Sequence, residues 1–366
     1  MTFTPHRGRR AAALTGVLAL TLAACSAGPA TGDASGGLGG SLAGAGATSQ
    51  ERAVIGWIAG FYDLEPGVTV SYDAVGSGGG REQFLAGAVQ FAGSDAALKE
   101  DELEQAHERC EGGEAVELPL YISPMAVVYN LPDLDAEHLQ LSAATVARIF
   151  NRDITTWDDP EIAAENPGVD LPSLRIIPVN RSDESGTTEN FTEYLEDASG
   201  GAWPHEASGS WPLSGGQSGN GNQGVLDTVE GAQGAVGYVD ASRAGDLGTV
   251  ALKVGEEYVP YSSQAAAAVV DASPRAEDAT DTRLVVEIDR DTTAPGAYPL
   301  VLISYSLACS RYARVGDATN VKAYLSYVAS PQGQARAADP AVAGAAPISD
   351  ALRAEVQAAI DSITAG

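Results

Sequence analysis

The chain has 366 residues, 44% of them hydrophobic but only 6% aromatic, and its 21 Lys and Arg stand against 49 Asp and Glu for a net charge of −28. That length exceeds one small core and favours a two-lobed protein. A surface this acidic argues against nucleic acid and anionic lipid headgroups as partners, and an anion site on it must supply its own donors locally.

The first segment reads as targeting. "HRGRR" (6–10) is a basic start, "AAALTGVLALTLAA" (11–24) is apolar but too short to remain as a membrane span, and the run stops at Cys25. An ordinary secretory signal would be cut after Ala24. "LAAC" (22–25) also resembles the bacterial lipobox, in which 1–24 is the signal peptide and Cys25 becomes the lipidated first residue. Loss of 1–24 removes three arginines and no acid, so the exported chain is more acidic still. The Gly/Ala/Ser-rich stretch that follows has no periodicity, and residues 25–45 are expected to form a flexible tether. Two further cysteines, Cys110 and Cys309, either pair outside the cytoplasm or remain as buried thiols. No CxxC or Cys/His spacing suggests zinc, and no metal or cofactor is expected.

The body alternates strands and helices, which predicts an α/β fold. In "QERAVIGWIAGFY" (50–62) Val54, Trp57, Ile58 and Phe61 recur at helical spacing. "VTVSYDAV" (68–75) alternates as a strand, "GSGGG" (76–80) follows it, and a short helix carries Phe84, Leu85 and Ala88. "VQFAGSDAAL" (89–98) is a strand running into a polar turn, and Pro119 and Pro124 mark "LPLYISPMAVVYN" (118–130) as extended. Ser142 caps a helix over 143–150 with Leu141 as its staple. A helix near 223–230 precedes the strand "GAVGYV" (234–239), residues 270–296 are charged and irregular, and "YPLVLISYSLAC" (298–309) is a strand. Helices at 317–330 and 348–363 end the chain.

Three strand–loop–helix junctions are rich in Gly, Ser and Thr: "GAGATS" (44–49), "GSGGG" (76–80) and "SGTT" (185–188). A helix start exposes unpaired N–H groups and a partial positive charge, glycine permits close approach, and hydroxyls add donors. Arg181, just before the third junction, adds a planar fork suited to a tetrahedral oxyanion. Taken singly, each junction could be only a cap, a loop or the end of the tether.

Together with "FAGSDAAL" (91–98), "RSDESGTTENFTEYL" (181–195), "ITTWDDPEIAAENPGVDLP" (154–172) and "GAVGYV" (234–239), these junctions resemble the phosphate-binding lipoproteins of bacterial phosphate ABC importers, the PstS family. The resemblance runs in order through nearly the whole exported chain. It implies a type II periplasmic-binding-protein fold, in which two α/β lobes close over one phosphate and the chain crosses the hinge twice. The crossings fall near Tyr129 and Ser304, giving 46–128 with 305–366 as lobe I and 129–304 as lobe II. Both Cys110 and Cys309 then lie in lobe I, which favours a disulfide between them.

Carried over residue by residue, the family pattern makes Thr48 a hydroxyl and backbone donor, Ser49 a backbone donor and Ser77 a hydroxyl donor. Arg181 supplies charge, Asp183 holds it in place, and Ser185, Gly186 and Thr187 cradle further oxygens. Asp95 falls on the acceptor for the phosphate's own proton. At "TSQ" (48–50) the chain departs from the family's Thr-Phe-Pro, which keeps a backbone donor but removes an aromatic wall.

The expected function is therefore capture of inorganic phosphate and its delivery to the permease and ATPase subunits of an importer, from a lipid-anchored position on the outer face of the cell membrane. A rival is a secreted phosphate-ester hydrolase using the same pocket, and a weaker third reading is a surface adhesin. G-x-S-x-G and S-x-x-K are absent, and His107, His138 and His205 flank no candidate nucleophile in sequence, so no catalytic residue is assigned.

Overall fold

The computed structural model describes residues 38–366. The expected signal peptide 1–24, the lipidated Cys25 and the tether up to Gly37 lie outside the described residues. The rest of the expected tether needs correction, because β1 (Gly40–Gly46) is a buried strand. Its small residues are demanded by packing rather than flexibility. A Cβ on Gly44 would stand 2.2 Å from the Phe91 ring, and one on Gly46, at φ +143°, would stand 2.0 Å from the Gly93 carbonyl oxygen. Composition alone cannot separate such a strand from a linker.

α1 (Glu51–Leu64) buries Val54, Trp57 and Phe61, and leads to β2 (Val68–Asp73), α2 (Ser77–Leu85) and β3 (Phe91–Ser94). β1 pairs in parallel with both β2 and β3. α3 (Glu100–Arg109) precedes β4 (Ala115–Tyr129), fifteen residues buried throughout. Then come β5 (His138–Leu141), α4 (Ala143–Phe150), capped by Ser142 as expected, α5 (Pro160–Glu165), β6 (Ile177–Arg181) and α6 (Gly186–Ala198). β7 (Gln217–Gly219), α7 (Gly221–Glu230), β8 (Ala235–Asp240), β9 (Gly248–Val254), β10 (Glu257–Val259) and α8 (Ser263–Ala272) follow. β11 (Val301–Cys309), β12 (Arg311–Tyr312), α9 (Val315–Ala329), α10 (Pro331–Ala338), α11 (Asp350–Asp361) and β13 (Thr364–Ala365) complete the order.

The main sheet runs β2-β1-β3-β11-β4-β8-β6-β7, with β9 joined to β4 and β10 and β5 joined to β9. β4 joins the two halves. Its residues 115–124 pair antiparallel with β11, and its residues 125–129 pair antiparallel with β8. The exchange of partners thus falls at Pro124/Met125 and at Val301, earlier on both strands than Tyr129 and Ser304. Within 129–304, Thr280–Leu284 also return to the first half of β4, where the Thr282 carbonyl accepts from Glu117 N and Leu284 N donates to the Glu117 carbonyl.

Two groups of rings lie within one continuous core. Phe61 and Phe91 pack on Tyr324 in the first half, and Phe150 and Phe191 pack on Tyr238 in the second, with Phe191 stacked on Tyr238 at 4.2 Å. Cys110 and Cys309 form a disulfide with a Cα–Cα distance of 5.1 Å, tying the end of α3 to the end of β11. In parallel α/β units ligands gather beyond the carboxyl ends of the strands, and the segments that follow β1, β3 and β6 meet in the space where Ser49 and Thr187 both hydrogen-bond Asp95.

Candidate functional site

Three helices point their starts into that space. α1 and α2 begin at Gln50 and Gly76 with no side chain capping them, so their first N–H groups are unclaimed by side chains. At α6 the Ser185 hydroxyl accepts from Thr188 N at 3.2 Å, so Ser185 does act as a cap. The close approach depends on glycine. A Cβ on Gly186 would lie 2.7 Å from both Asp95 Cβ and Ser77 Oγ, and Gly76, at φ +89°, has Asp183 Oδ2 at 2.7 Å from the same point.

The hydrogen bonds bring the expected residues together. Asp95, at the end of β3, is buried, and its Oδ1 accepts from Ser49 Oγ at 2.6 Å while its Oδ2 accepts from Thr187 Oγ1 at 2.9 Å. Asp95 N donates to Ser77 Oγ at 3.1 Å. Ser304 of β11, wholly buried, turns a third hydroxyl toward the Asp95 carboxylate, though short of a full hydrogen bond. Burial pushes the Asp95 carboxyl above its ordinary value, opposed by these hydroxyls and the more distant Arg181 charge.

Arg181 ends β6 with only 2% of its surface exposed. Its Nε donates to Asp183 Oδ1 at 2.8 Å and its Nη2 to Asp183 Oδ2, while Nη1 is buried with no hydrogen-bond partner among the described residues. Burial alone would raise the Asp183 carboxyl. The Arg181 hydrogen bonds and charge, with Gly221 N donating to Oδ1 at 3.1 Å, hold it below its ordinary value instead.

Several participants escaped sequence reasoning. Asn222, in the first turn of α7, donates from Nδ2 to Thr48 Oγ1 at 3.0 Å and to Thr187 Oγ1 at 3.4 Å. It lies just before the helix expected near 223–230, among Gly219, Gly221 and Gly224, and no local signal marks it. Arg81 of α2 donates from Nη2 to Glu184 Oε1 at 3.0 Å and from Nε to Glu102 Oε1 at 2.9 Å, joining the two halves behind the site. Arg243 pairs with Glu51 across the same gap. At "TSQ" (48–50), Ser49 is buried against Asp95, and the Gln50 amide reaches the Tyr72 hydroxyl at 3.3 Å, so both buried polar side chains are paired.

A family model described as "PBP superfamily domain" matches residues 31–332. The phosphate-binding protein PstS 3 of Mycobacterium tuberculosis is 34% identical over 323 residues, covering 87% of this chain and 85% of that one. PstS 2 of the same organism is 33% identical over 326 residues, covering 87% and 86%. The chain belongs to the PstS family of phosphate-binding proteins. In fold it also matches the structure of a high affinity periplasmic phosphate-binding protein (PfluDING) bound with phosphate, at a TM-score of 0.71, 20% identity and coverage of 87% and 93%. The two-lobed type II periplasmic-binding-protein architecture expected from sequence is thereby established.

Proposed function

We infer that the chain is an extracytoplasmic solute-binding protein that captures inorganic phosphate between its lobes for an ABC importer. The observation that carries this is chemical polarity: a buried pocket of donors holds one carboxylate, Asp95, that no cation neutralises directly. Thr48, Ser77, Ser185, Gly186 and Thr187 are the proposed hydroxyl and backbone donors, Ser49 offers its N–H, and Arg181 Nη1 supplies the charged bond. Asp183 serves only to fix the guanidinium.

An ionised carboxylate has roughly four lone-pair positions, so the Ser49 and Thr187 hydroxyls leave room for a further donor from the ligand on Asp95. Protonated phosphate can provide it. Fully ionised sulfate cannot, and would set two acceptors against each other in a buried space, where an unmade hydrogen bond costs roughly 1–3 kcal/mol. The raised affinity of Asp95 for protons favours a ligand that brings one.

Delivery to permease and ATPase subunits, a lipid anchor at Cys25 and residence at the outer face of the cell membrane complete the proposal. No helix among the described residues is long and apolar enough to cross a membrane. The matched relatives are named phosphate-binding proteins. The three histidines of the described chain are engaged elsewhere: His107 with the Gly113 carbonyl, His138 with Thr249 and His205 with Asn151.

Titration calorimetry of the exported chain with phosphate, sulfate and arsenate tests the proposal. One phosphate per chain is expected with micromolar or tighter affinity, about −8 kcal/mol, and without turnover of a phosphate ester. No heat at millimolar phosphate would overturn it.

A further inference from the structure

Asn222 does more than bridge the lobes. It is wholly buried, and its Oδ1 accepts from Asp240 N at 2.8 Å. A backbone N–H can only donate, so this contact fixes the amide with its Nδ2 facing Thr48. Thr48 Oγ1 therefore receives two N–H donors from one residue, Nδ2 at 3.0 Å and the backbone N at 3.2 Å. A hydroxyl has two acceptor positions and one hydrogen. With both acceptor positions filled, Thr48 has only its hydrogen left to offer, and no acceptor among the described residues takes it.

We propose that Asn222 is a positioning residue that makes Thr48 an obligatory donor to the bound anion, and does so only when the two lobes are together. The inference rests on the phosphate-binding reading above. Thr48 follows β1 in one lobe and Asn222 opens α7 in the other, so lobe separation breaks both bonds and frees the hydroxyl to rotate. Closure then creates a donor of fixed direction, which lowers the ordering cost left for the ligand to meet. Two corners of the pocket consequently read the ligand's proton in opposite senses. The Asp95 corner accepts a proton from the ligand, and the Thr48 corner requires an ionised oxygen.

The test is a double-mutant cycle on the purified chain, with inorganic phosphate as the titrant. Asn222→Ala is expected to weaken phosphate binding by about tenfold or more, and Thr48→Val similarly. The double variant should lose far less than the two single losses combined, because Asn222 acts mainly through that hydroxyl, with its longer 3.4 Å contact to Thr187 Oγ1 leaving a small remainder. A merely structural role would instead give losses that add. Asn222→Ala leaves Asp240 N without its acceptor, so thermal melts accompany each titration. Asn222→Asp keeps that acceptor while turning the atom that faces Thr48 from donor to acceptor. It is expected to lose more affinity than Asn222→Ala, and it carries the same cycle if the alanine variant does not fold. Binding within twofold of wild type, or an undiminished loss in the Thr48→Val background, overturns the proposal while leaving the phosphate reading intact. Absence of phosphate binding by the wild type removes both.

Discussion

Asp95 and Asp183 stand on opposite walls of one pocket, and the protein treats them in opposite ways. Asp183 is gripped by two arms of Arg181 and by a backbone N–H, and its carboxyl is held below the ordinary range. Asp95 meets mainly neutral hydroxyls, and burial pushes its carboxyl up. The difference teaches how an acidic protein can hold carboxylates beside an anion. One is cancelled by a fixed cation whose Nη1 has no partner among the described residues. The other meets no cation directly, and on the proposed reading a ligand bearing its own proton satisfies it.

The largest expected effect comes from removing the cation. Arg181→Ala should cost a hundredfold or more in phosphate affinity, because it deletes a charged donor and strands Asp183 as a second unpaired acid. Arg175→Ala, at an exposed position just before the same strand, should bind like wild type. Equal affinities for the two variants by calorimetry would remove Arg181 from the site.

A third carboxylate extends the comparison. Asp240 ends β8, accepts from the Tyr121 hydroxyl at 3.0 Å, forms no ion pair among the described residues, and is pushed up to about 6, chiefly by burial. A folded pKa above the unfolded one means the folded chain binds the proton more tightly. Its stabilising contribution is fully present below pH ~4, the unfolded value, and is lost as the pH rises through about 6. Asp240→Asn should therefore flatten the stability profile between those values by roughly 2–3 kcal/mol. Denaturant melts at pH 4 and 7 with the same difference in both proteins would contradict this.

Asp183→Asn sharpens the comparison from the other side, with a smaller effect. Its depressed carboxyl contributes above its unfolded value and is lost as the pH falls through the lower folded one, so the variant should lose stability at neutral pH but little in acid. A difference of about 1–2 kcal/mol is expected at pH 7, shrinking as the pH falls below the ordinary carboxylate range. Thermal melts across that range check it.

The three junctions were legible because a charged, hydroxyl- and glycine-rich run stands out between a strand and a helix: Arg181, the Ser185–Thr187 run and the glycines at 76–80. β4 was legible because Pro119 and Pro124 exclude a helix there, and β11 from its run "YPLVLISYSLAC". What hid from sequence were elements whose composition imitates something else. β1 is built from glycine and alanine because Phe91 and Gly93 crowd it, and so it looks like tether. α3, with Ala106 as its single buried residue, shows no apolar stripe. Asn222 and Arg81 owe their roles to partners 174 and 103 residues away in the chain, and no local pattern announces such pairs. Ser49 was expected to offer only its N–H, yet its hydroxyl sits on Asp95.

The proton-accepting role of Asp95 is tested most directly by phosphate–sulfate competition on wild type and Asp95→Asn at fixed pH and salt. The amide keeps the shape but replaces one acceptor oxygen with a donor, so sulfate loses its repulsion and gains a hydrogen bond. The phosphate-to-sulfate affinity ratio is predicted to fall by about tenfold or more, some 1.4 kcal/mol. A variant that rejects sulfate as strongly as the wild type does would show that Asp95 does not read the ligand's proton.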